Sequence, residues 1–491
     1  MSRNSPAQDV SRQAPAVLFA KKDLEANTRI ARQCRVLEES GQPAVVVCER
    51  PPIAAQSAAI PGVRFLLVSR KPGLRDIPVT LRILGTLWLA RVVGQERAGR
   101  LLKQVIRAGV AGRRASDAPG GTAGHATGVS GGARGRGLRR MATSVLRPFT
   151  RLPLAMVGLA LASDVAFARR ALAALQAEAI APGMVQAHDL HTLPAAAEAA
   201  RAQAVPLIYD AVEAPLEQRN WWALGHDQGE RRVRHHAATV DTALAPDVRA
   251  ADTVFTVSAG LARWMESRYG CRRPVLLRNF RHFEAADPAA SPLRRACGLV
   301  AGQRLVLQLN TVCPGEGVEV LLDALARLPD DVHLAFLGPP PDPDYAGTLK
   351  QHGAWPTVAG RVHFLDPVPS DAVVSWAAGA DAGVIARQDT CLNNRISLPN
   401  RIFEFLMAGL PVAVSSLPDI AEFVRDTGMG LVFDETDPAS VAETLEHILA
   451  PGTQSPCRAR AAEVARSLNW EQEAETYRQT LADLATPPSG S

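Results

Sequence analysis

The sequence predicts an α/β protein made of two Rossmann-like domains, and three observations carry that prediction. Short apolar runs bounded by turn residues alternate with helical patterns, the rhythm of a parallel sheet whose strands are buried on both faces. The series runs through once before residue 285 and again after it. The chain has 491 residues, 47% hydrophobic and 21% charged, enough to bury two cores of ordinary size.

Taken in order, Met1 to Pro15 is polar and lacks the apolar run of a secretory signal, so residues 1–15 are expected to be a disordered tail. Strand Ala16–Ala20, helix Asn27–Ser40 and strand Ala44–Cys48 open the first domain, and a strand near Phe65–Val68 follows. The rhythm resumes with strand Met184–Ala187, the Ala-rich helix Pro194–Ala204 and strand Leu207–Asp210. Strand Thr253–Val257 and helix Ala259–Tyr269 close a domain assigned to residues 16–285. The second domain, residues 286–468, reads as strand Arg304–Leu309, helix Val318–Leu328, strands His333–Leu337 and Val362–Leu365, helix Asp371–Ala378 and strand Ala382–Ile385. A last helix, Trp470–Leu484, lies in the closing segment 469–491.

The gap between Val68 and Met184 is too long for a simple crossover, so residues from about 70 to 165 read as an insertion. From Arg91 to Arg151 arginines are dense and acids are few, Glu96 and Asp117. Ser116 to Gly137, rich in Gly, Ala and Ser, reads as flexible. Its flanks Ile77–Val93 and Leu152–Ala168 are apolar but interrupted by Arg82, Arg91 and Asp164. Neither offers a clean bilayer span, and both are expected to be amphipathic helices. Two readings stay open. The insertion docks on an anionic membrane face, at roughly 1 kcal/mol per basic residue near the surface, or its helices pack on the first sheet beside a solvated loop. Nucleic acid is not the expected partner. The net charge is only +5, and the basic segment lacks interleaved aromatic residues. Seven scattered cysteines, odd in number and never closely paired, point to a reducing compartment and to no metal site. The location expected is cytoplasmic, peripheral on the inner face of the membrane.

The densest functional signal is Ser397-Leu398-Pro399-Asn400-Arg401-Ile402-Phe403-Glu404-Phe405-Leu406-Met407-Ala408-Gly409-Leu410-Pro411-Val412. It reads as a turn, a short helix carrying one carboxylate, a Gly stop and a buried strand. Gly409 falls where a helix C-cap wants a left-handed residue, and Pro411 blocks continuation. Free N–H groups at such a helix start suit a phosphate, and Glu404 further in suits a ribose hydroxyl. Phe403 and Phe405 read as core anchors rather than base platforms.

This string closely resembles the donor-site motif of retaining glycosyltransferases of family 4, whose GT-B fold sets two Rossmann-like domains across a cleft, with a C-terminal helix crossing back to the first. Other segments are similar to family segments in the same order: Asp23–Ile30, His188–Pro194, Tyr209–Glu213, Val257–Leu261 and Leu277–Asn279. The likeness runs from about Ala16 to Tyr477, apart from the insertion. It implies transfer of a sugar with retention from a nucleotide sugar, UDP- or GDP-linked, to a glycan or lipid-linked acceptor, with no cofactor or metal required. Cell-surface polysaccharide or glycolipid synthesis is the setting implied. Ser397, Leu398 and Asn400 would present backbone N–H groups, Arg401 a charge and Glu404 an acceptor for the ribose. Asn310, Thr311 and Gly338 complete the implied donor-binding set. His188, Asp189 and Glu213, at strand ends of the first domain, are the implied catalytic residues.

Three departures stand beside the matches. Ile396 occupies the place of the first of two family glutamates, Val212 that of a histidine, and Glu316 that of a basic residue, where an acid is expected to repel a diphosphate. Charge could instead come from Arg387, Arg395 or Arg401. Otherwise the fold persists as a binding or partner subunit without transfer activity. A sugar-nucleotide epimerase shares the two-domain plan and is the remaining alternative.

Overall fold

The computed structural model describes residues 14–20, 28–49, 62–68, 76–111, 153–214, 217, 227–309 and 312–485. The chain divides into two units, residues 1–255 with 267–272, and residues 256–266 with 273–491. The tail before residue 14, the Gly-rich stretch 116–137, and Asn310 and Thr311 lie outside the described residues.

The first sheet has seven strands: β1 (Ala16–Phe19), β2 (Ala44–Cys48), β3 (Val63–Leu67), β4 (Met184–His188), β5 (Leu207–Ala211), β6 (Thr253–Thr256) and β7 (Val275–Leu276). Their order is β3-β2-β1-β4-β5-β6-β7. The ladders joining β3 through β5 are parallel, with Ala16 opposite both Ala44 and Met184. β1, β2 and β5 are buried along their whole length, which is why they read as unbroken apolar runs. Helix α1 (Thr28–Glu39) buries Ile30, Cys34, Val36 and Leu37.

Among the described residues, three helices come from the insertion: α2 (Ile77–Val93), α3 (Gln95–Ala111) and α4 (Pro153–Ala177). They pack on one another and on α5 (Leu193–Gln203) and α6 (Asp227–Arg249). α2 is not the amphipathic helix expected. It buries Ile83, Leu87 and Ala90 yet also exposes Ile77, Leu81, Trp88 and Val92, so it is apolar on both faces. Among the described residues no helix is long and apolar enough to cross a membrane. α3 and α6 are helices beyond those expected, and both carry polar residues on their inward faces. Lys103 of α3 is buried against Asp247 of α6. Asp241 of α6 accepts from Arg268 Nε at 2.7 Å and from the Tyr269 hydroxyl of α7 (Ala259–Tyr269). The partners of these buried charges lie on other helices.

The second sheet has six strands, all parallel: β8 (Arg304–Leu309), β9 (Val332–Leu337), β10 (Val362–Leu365), β11 (Ala382–Ile385), β12 (Val412–Ser415) and β13 (Gly430–Phe433). Their order, β10-β9-β8-β11-β12-β13, repeats the plan of the first sheet. Successive strand residues serve opposite faces. Leu305, Leu307 and Leu309 join one core with Phe280, Phe403 and Phe405, whereas Val306 joins the other with Leu322, Phe336 and Phe433. Phe280 and Phe403 meet edge to face at 4.6 Å, so the aromatic pair of the motif does anchor the core.

Around this sheet lie α8 (Val318–Leu325), α9 (Pro343–Lys350), α10 (Arg401–Met407), α11 (Pro418–Thr427), α12 (Pro438–Leu449) and α13 (Pro451–Ser467). Gly409, at φ 62°, ends α10 in the left-handed conformation expected of it. The final helix α14 (Trp470–Ala485) is tied to residues 278–283: Trp470 N donates to Arg281 O at 2.8 Å, and Glu473 accepts from Arg278 N at 2.8 Å. All seven cysteines are free.

Candidate functional site

In an open parallel sheet, ligands bind beyond the carboxyl ends of the strands, where the strand order reverses. In the second sheet that point lies between β8 and β11. The loop after β8 carries Glu316, and the loop after β11 carries Arg387. Gly317 brings the two loops together. At φ +75° a side chain is disfavoured, and a Cβ there would lie 2.0 Å from the Ala386 carbonyl oxygen. Two bonds pin the same loop: Gln388 N donates to Gly315 O at 2.9 Å, and Gln308 Nε2 to Glu316 O at 3.1 Å.

Glu316 is therefore not an acid facing a ligand unopposed. Its Oε2 accepts from Arg401 NH2, and its Oε1 lies 3.5 Å from Arg387 Nε as an ion pair. Burial alone would raise the Glu316 pKa, but Arg401 and Arg387 outweigh it and hold the carboxyl below its ordinary range. Two guanidiniums against one carboxylate leave the cluster with net charge +1. The expected repulsion of a diphosphate is corrected accordingly: position 316 is neutralised from within the fold.

The sequence-predicted donor residues fall into two groups. Arg401 is buried, with NH1 donating to Leu309 O at 3.3 Å and NH2 spent on Glu316. Ser397 is buried beside it, its Oγ accepting from Arg387 NH1 at 3.4 Å. Leu398 packs in the core, so its side chain offers nothing polar. Asn400 and Glu404 form the second group. Asn400 Oδ1 accepts from Asn279 Nδ2 at 2.9 Å, and Glu404 Oε1 lies 3.3 Å from Arg281 NH1. Burial raises the Glu404 pKa, and Arg281 and Arg401 oppose that rise only in part. Gly338 follows β9 at φ 156° and donates its N–H to Leu365 O at 3.2 Å. Arg395, the other cation considered, is held by Asp389 through contacts at 2.6 to 2.9 Å.

The first sheet has its own polar cluster where its order reverses beside β1. His188 ends β4 rather than lying in a loop, and it is buried, with Nδ1 3.1 Å from Asp210 Oδ2. Asp210 on β5 is gripped by Arg29 Nε at 2.8 Å and NH2 at 2.7 Å, and by Gln33 Nε2 at 2.9 Å. Burial would raise the Asp210 pKa, but Arg29 and His188 hold it well below the usual carboxylate range. Asp189 is half-buried in the left-handed region, at φ 64°, and donates its N–H to Asp210 O at 3.1 Å. Glu213 is exposed beyond the end of β5. The fold thus gathers His188 and Asp189 around Asp210. Sequence reasoning did not name Arg29, Gln33 or Asp210 as functional. The available signal was a lone carboxylate in an otherwise apolar buried strand, a position that requires a partner.

Residues 304–451 match the family described as Glycosyl transferases group 1. Among curated relatives, the D-inositol 3-phosphate glycosyltransferase of Xylanimonas cellulosilytica is 27% identical over 188 residues, 38% of this chain and 44% of the relative. That of Mycolicibacterium gilvum is 28% identical over 207 residues, 41% and 45% of the two chains. The chain thus spans less than half the length of the curated relatives it matches. Among solved structures, sucrose-phosphate synthase from Thermosynechococcus elongatus superposes with a TM-score of 0.61 at 14% identity, covering 96% of this chain and 100% of that one. Anabaena HepE in complex with UDP-glucose gives 0.57 at 15% identity, covering 95% and 99%. At these identities the structural likeness speaks for the fold, which is GT-B. Residues 304–451, under a third of the chain, are thus similar to the glycosyl transferases group 1, and the fold that holds them is GT-B.

Proposed function

We propose that the protein is a glycosyltransferase that moves a sugar from a UDP- or GDP-sugar to a glycan or lipid-linked acceptor with retention, in cell-surface polysaccharide or glycolipid synthesis. The observation that carries this reading is the placement of the motif. Residues 397–404 lie inside the family match, and Arg401 and Ser397 join the Glu316–Arg387 cluster at the switch point of the second sheet. Glu404 supplies a carboxylate suited to a ribose hydroxyl, and the cluster supplies net positive charge for the departing diphosphate. In the first domain, His188, Asp189 and Glu213 remain the proposed groups on the sugar and acceptor side.

Calorimetric titration with UDP, GDP and ADP tests the reading. One nucleotide binds, and Glu404→Ala weakens it at least about tenfold, the scale of a hydrogen bond to a charged group. No binding by the folded protein would favour the second reading, a GT-B subunit without transfer activity, which rests on Val212 standing where a histidine is expected. An epimerised nucleotide sugar as product would instead revive the epimerase.

The acceptor side is proposed to work at an anionic membrane face. Ile77, Leu81, Trp88 and Val92 share one exposed face of α2, which carries no acid. Exposed arginines Arg82, Arg97, Arg100 and Arg107 accompany it on α2 and α3. An apolar face bearing a Trp among cations suits the interface of an anionic bilayer.

A further inference from the structure

Three arginines stand near the carboxyl ends of β8 and β11, and they are not equivalent. Arg401 is 6% exposed, and its NH1 and NH2 are bound within the protein, to Leu309 O and Glu316. Arg395 is exposed but engaged bidentately by its neighbour Asp389. Arg387 is 21% exposed, touches Glu316 only at 3.5 Å, and reaches Ser397 Oγ at 3.4 Å. These long contacts leave it able to turn toward an incoming anion.

Resting on the donor-site reading above, we infer that Arg387 is the cation that meets the donor's diphosphate, and that the Glu316–Arg401 pair is the strut that positions it. Arg401 cancels the charge of Glu316. The other carboxylate oxygen of Glu316 then holds Arg387 from one side. The net +1 of the cluster therefore falls on its more exposed member. The strut is rigid because Gly317 presses against the Ala386 carbonyl, one residue from Arg387. The acid at 316 works as a positioning residue, and the phosphate-facing charge has moved from the loop after β8 to the loop after β11. A guanidinium there can grip two phosphate oxygens at once, which an ammonium cannot.

The two roles of Glu316 predict opposite signs. If it merely opposed an anion, Glu316→Gln would add net positive charge and tighten nucleotide binding. If it positions Arg387, the same change weakens binding, because one carboxylate oxygen becomes an N–H₂ group facing a guanidinium.

The test is calorimetric titration of the full chain with UDP, GDP and ADP, followed by titration of variants with whichever nucleotide binds. Arg387→Gln, at a partly exposed loop position, is expected to keep the fold and weaken binding about tenfold to a hundredfold. Glu316→Gln is expected to weaken it about tenfold. The double variant Glu316→Gln/Arg401→Met removes the buried pair together, so that the one charge it leaves in the cluster is the partly exposed Arg387, and it is expected to melt closer to wild type than Glu316→Gln while still binding as weakly. Wild-type affinity in Arg387→Gln, tightening in Glu316→Gln, or wild-type affinity in the double variant would each overturn the inference and leave the donor site standing. If the folded wild type binds none of the three nucleotides, the donor-site reading itself fails and the inference falls with it.

Discussion

Changing Asp210 to Asn strikes the most deeply buried ion pair of the first domain. The side chains of Arg29 and Asp210 are 1% and 0% exposed, and the guanidinium reaches both carboxylate oxygens, at 2.8 and 2.7 Å. Gln33 adds a contact at 2.9 Å, and His188 Nδ1 lies at 3.1 Å. Asn keeps the shape but turns one oxygen into an N–H₂ group that faces a donor, and it removes the negative charge that both Arg29 contacts use. Breaking a buried pair from one side costs about 3–5 kcal/mol, a large part of the 5–15 kcal/mol that holds a typical domain. Because two domains unfold, the assay is native-state hydrogen exchange read on β1, β4 and β5 rather than a single melting curve. The pH dependence has a definite sign. The folded-state pKa of Asp210 lies below the unfolded value of about 3.9, so its stabilisation is complete above roughly pH 5. It is lost as the pH falls through the folded value. The part of the Asp210→Asn deficit that comes from this carboxylate should therefore shrink in acid below about pH 5. Adding Arg29→Met should cost less than the sum of the two single changes, because the two side chains share one contact. A deficit below about 1 kcal/mol at pH 7, no larger than an ordinary hydrogen bond, or one that does not shrink in strong acid, would refute the reasoning.

Two further outcomes are expected. Gly317→Ala forces a left-handed alanine and puts a methyl group 2.0 Å from the Ala386 oxygen. It should destabilise the second domain by about 2 kcal/mol or more, seen as lost exchange protection in β8 and β11 and weaker nucleotide binding. Trp88→Glu places an acid on the exposed apolar face of α2. It should reduce cosedimentation with vesicles rich in anionic lipid about tenfold while moving stability by less than about 0.5 kcal/mol. Wild-type protein that stays in the supernatant would dismiss the membrane surface.

Much of the architecture was readable along the chain. Strands Ala44–Cys48, Arg304–Leu309, Val362–Leu365 and Ala382–Ile385 have the bounds read from the sequence, and Ala44–Cys48 and Ala382–Ile385 are buried and apolar throughout, as strands covered on both faces must be. The helix from Arg401, its Gly409 stop and the strand behind it were equally legible, since φ > 0 and a missing N–H are local demands. The burial of Lys103, Asp241 and Asp247 on α3 and α6 was not legible, because their partners lie on other helices.

The same division runs through the candidate site. Sequence supplied the motif and the residues of the donor loop, and it marked Glu316 as out of place. That this acid lies between Arg387 and Arg401, 71 and 85 positions away along the chain, was decided by strand order, which brings the ends of β8 and β11 side by side. The grip of Arg29 on Asp210 across 181 positions has the same origin. A residue's type and its near neighbours fix what it can do. Whether a charge is opposed, paired or free depends on long-range contacts that only the folded sheet creates.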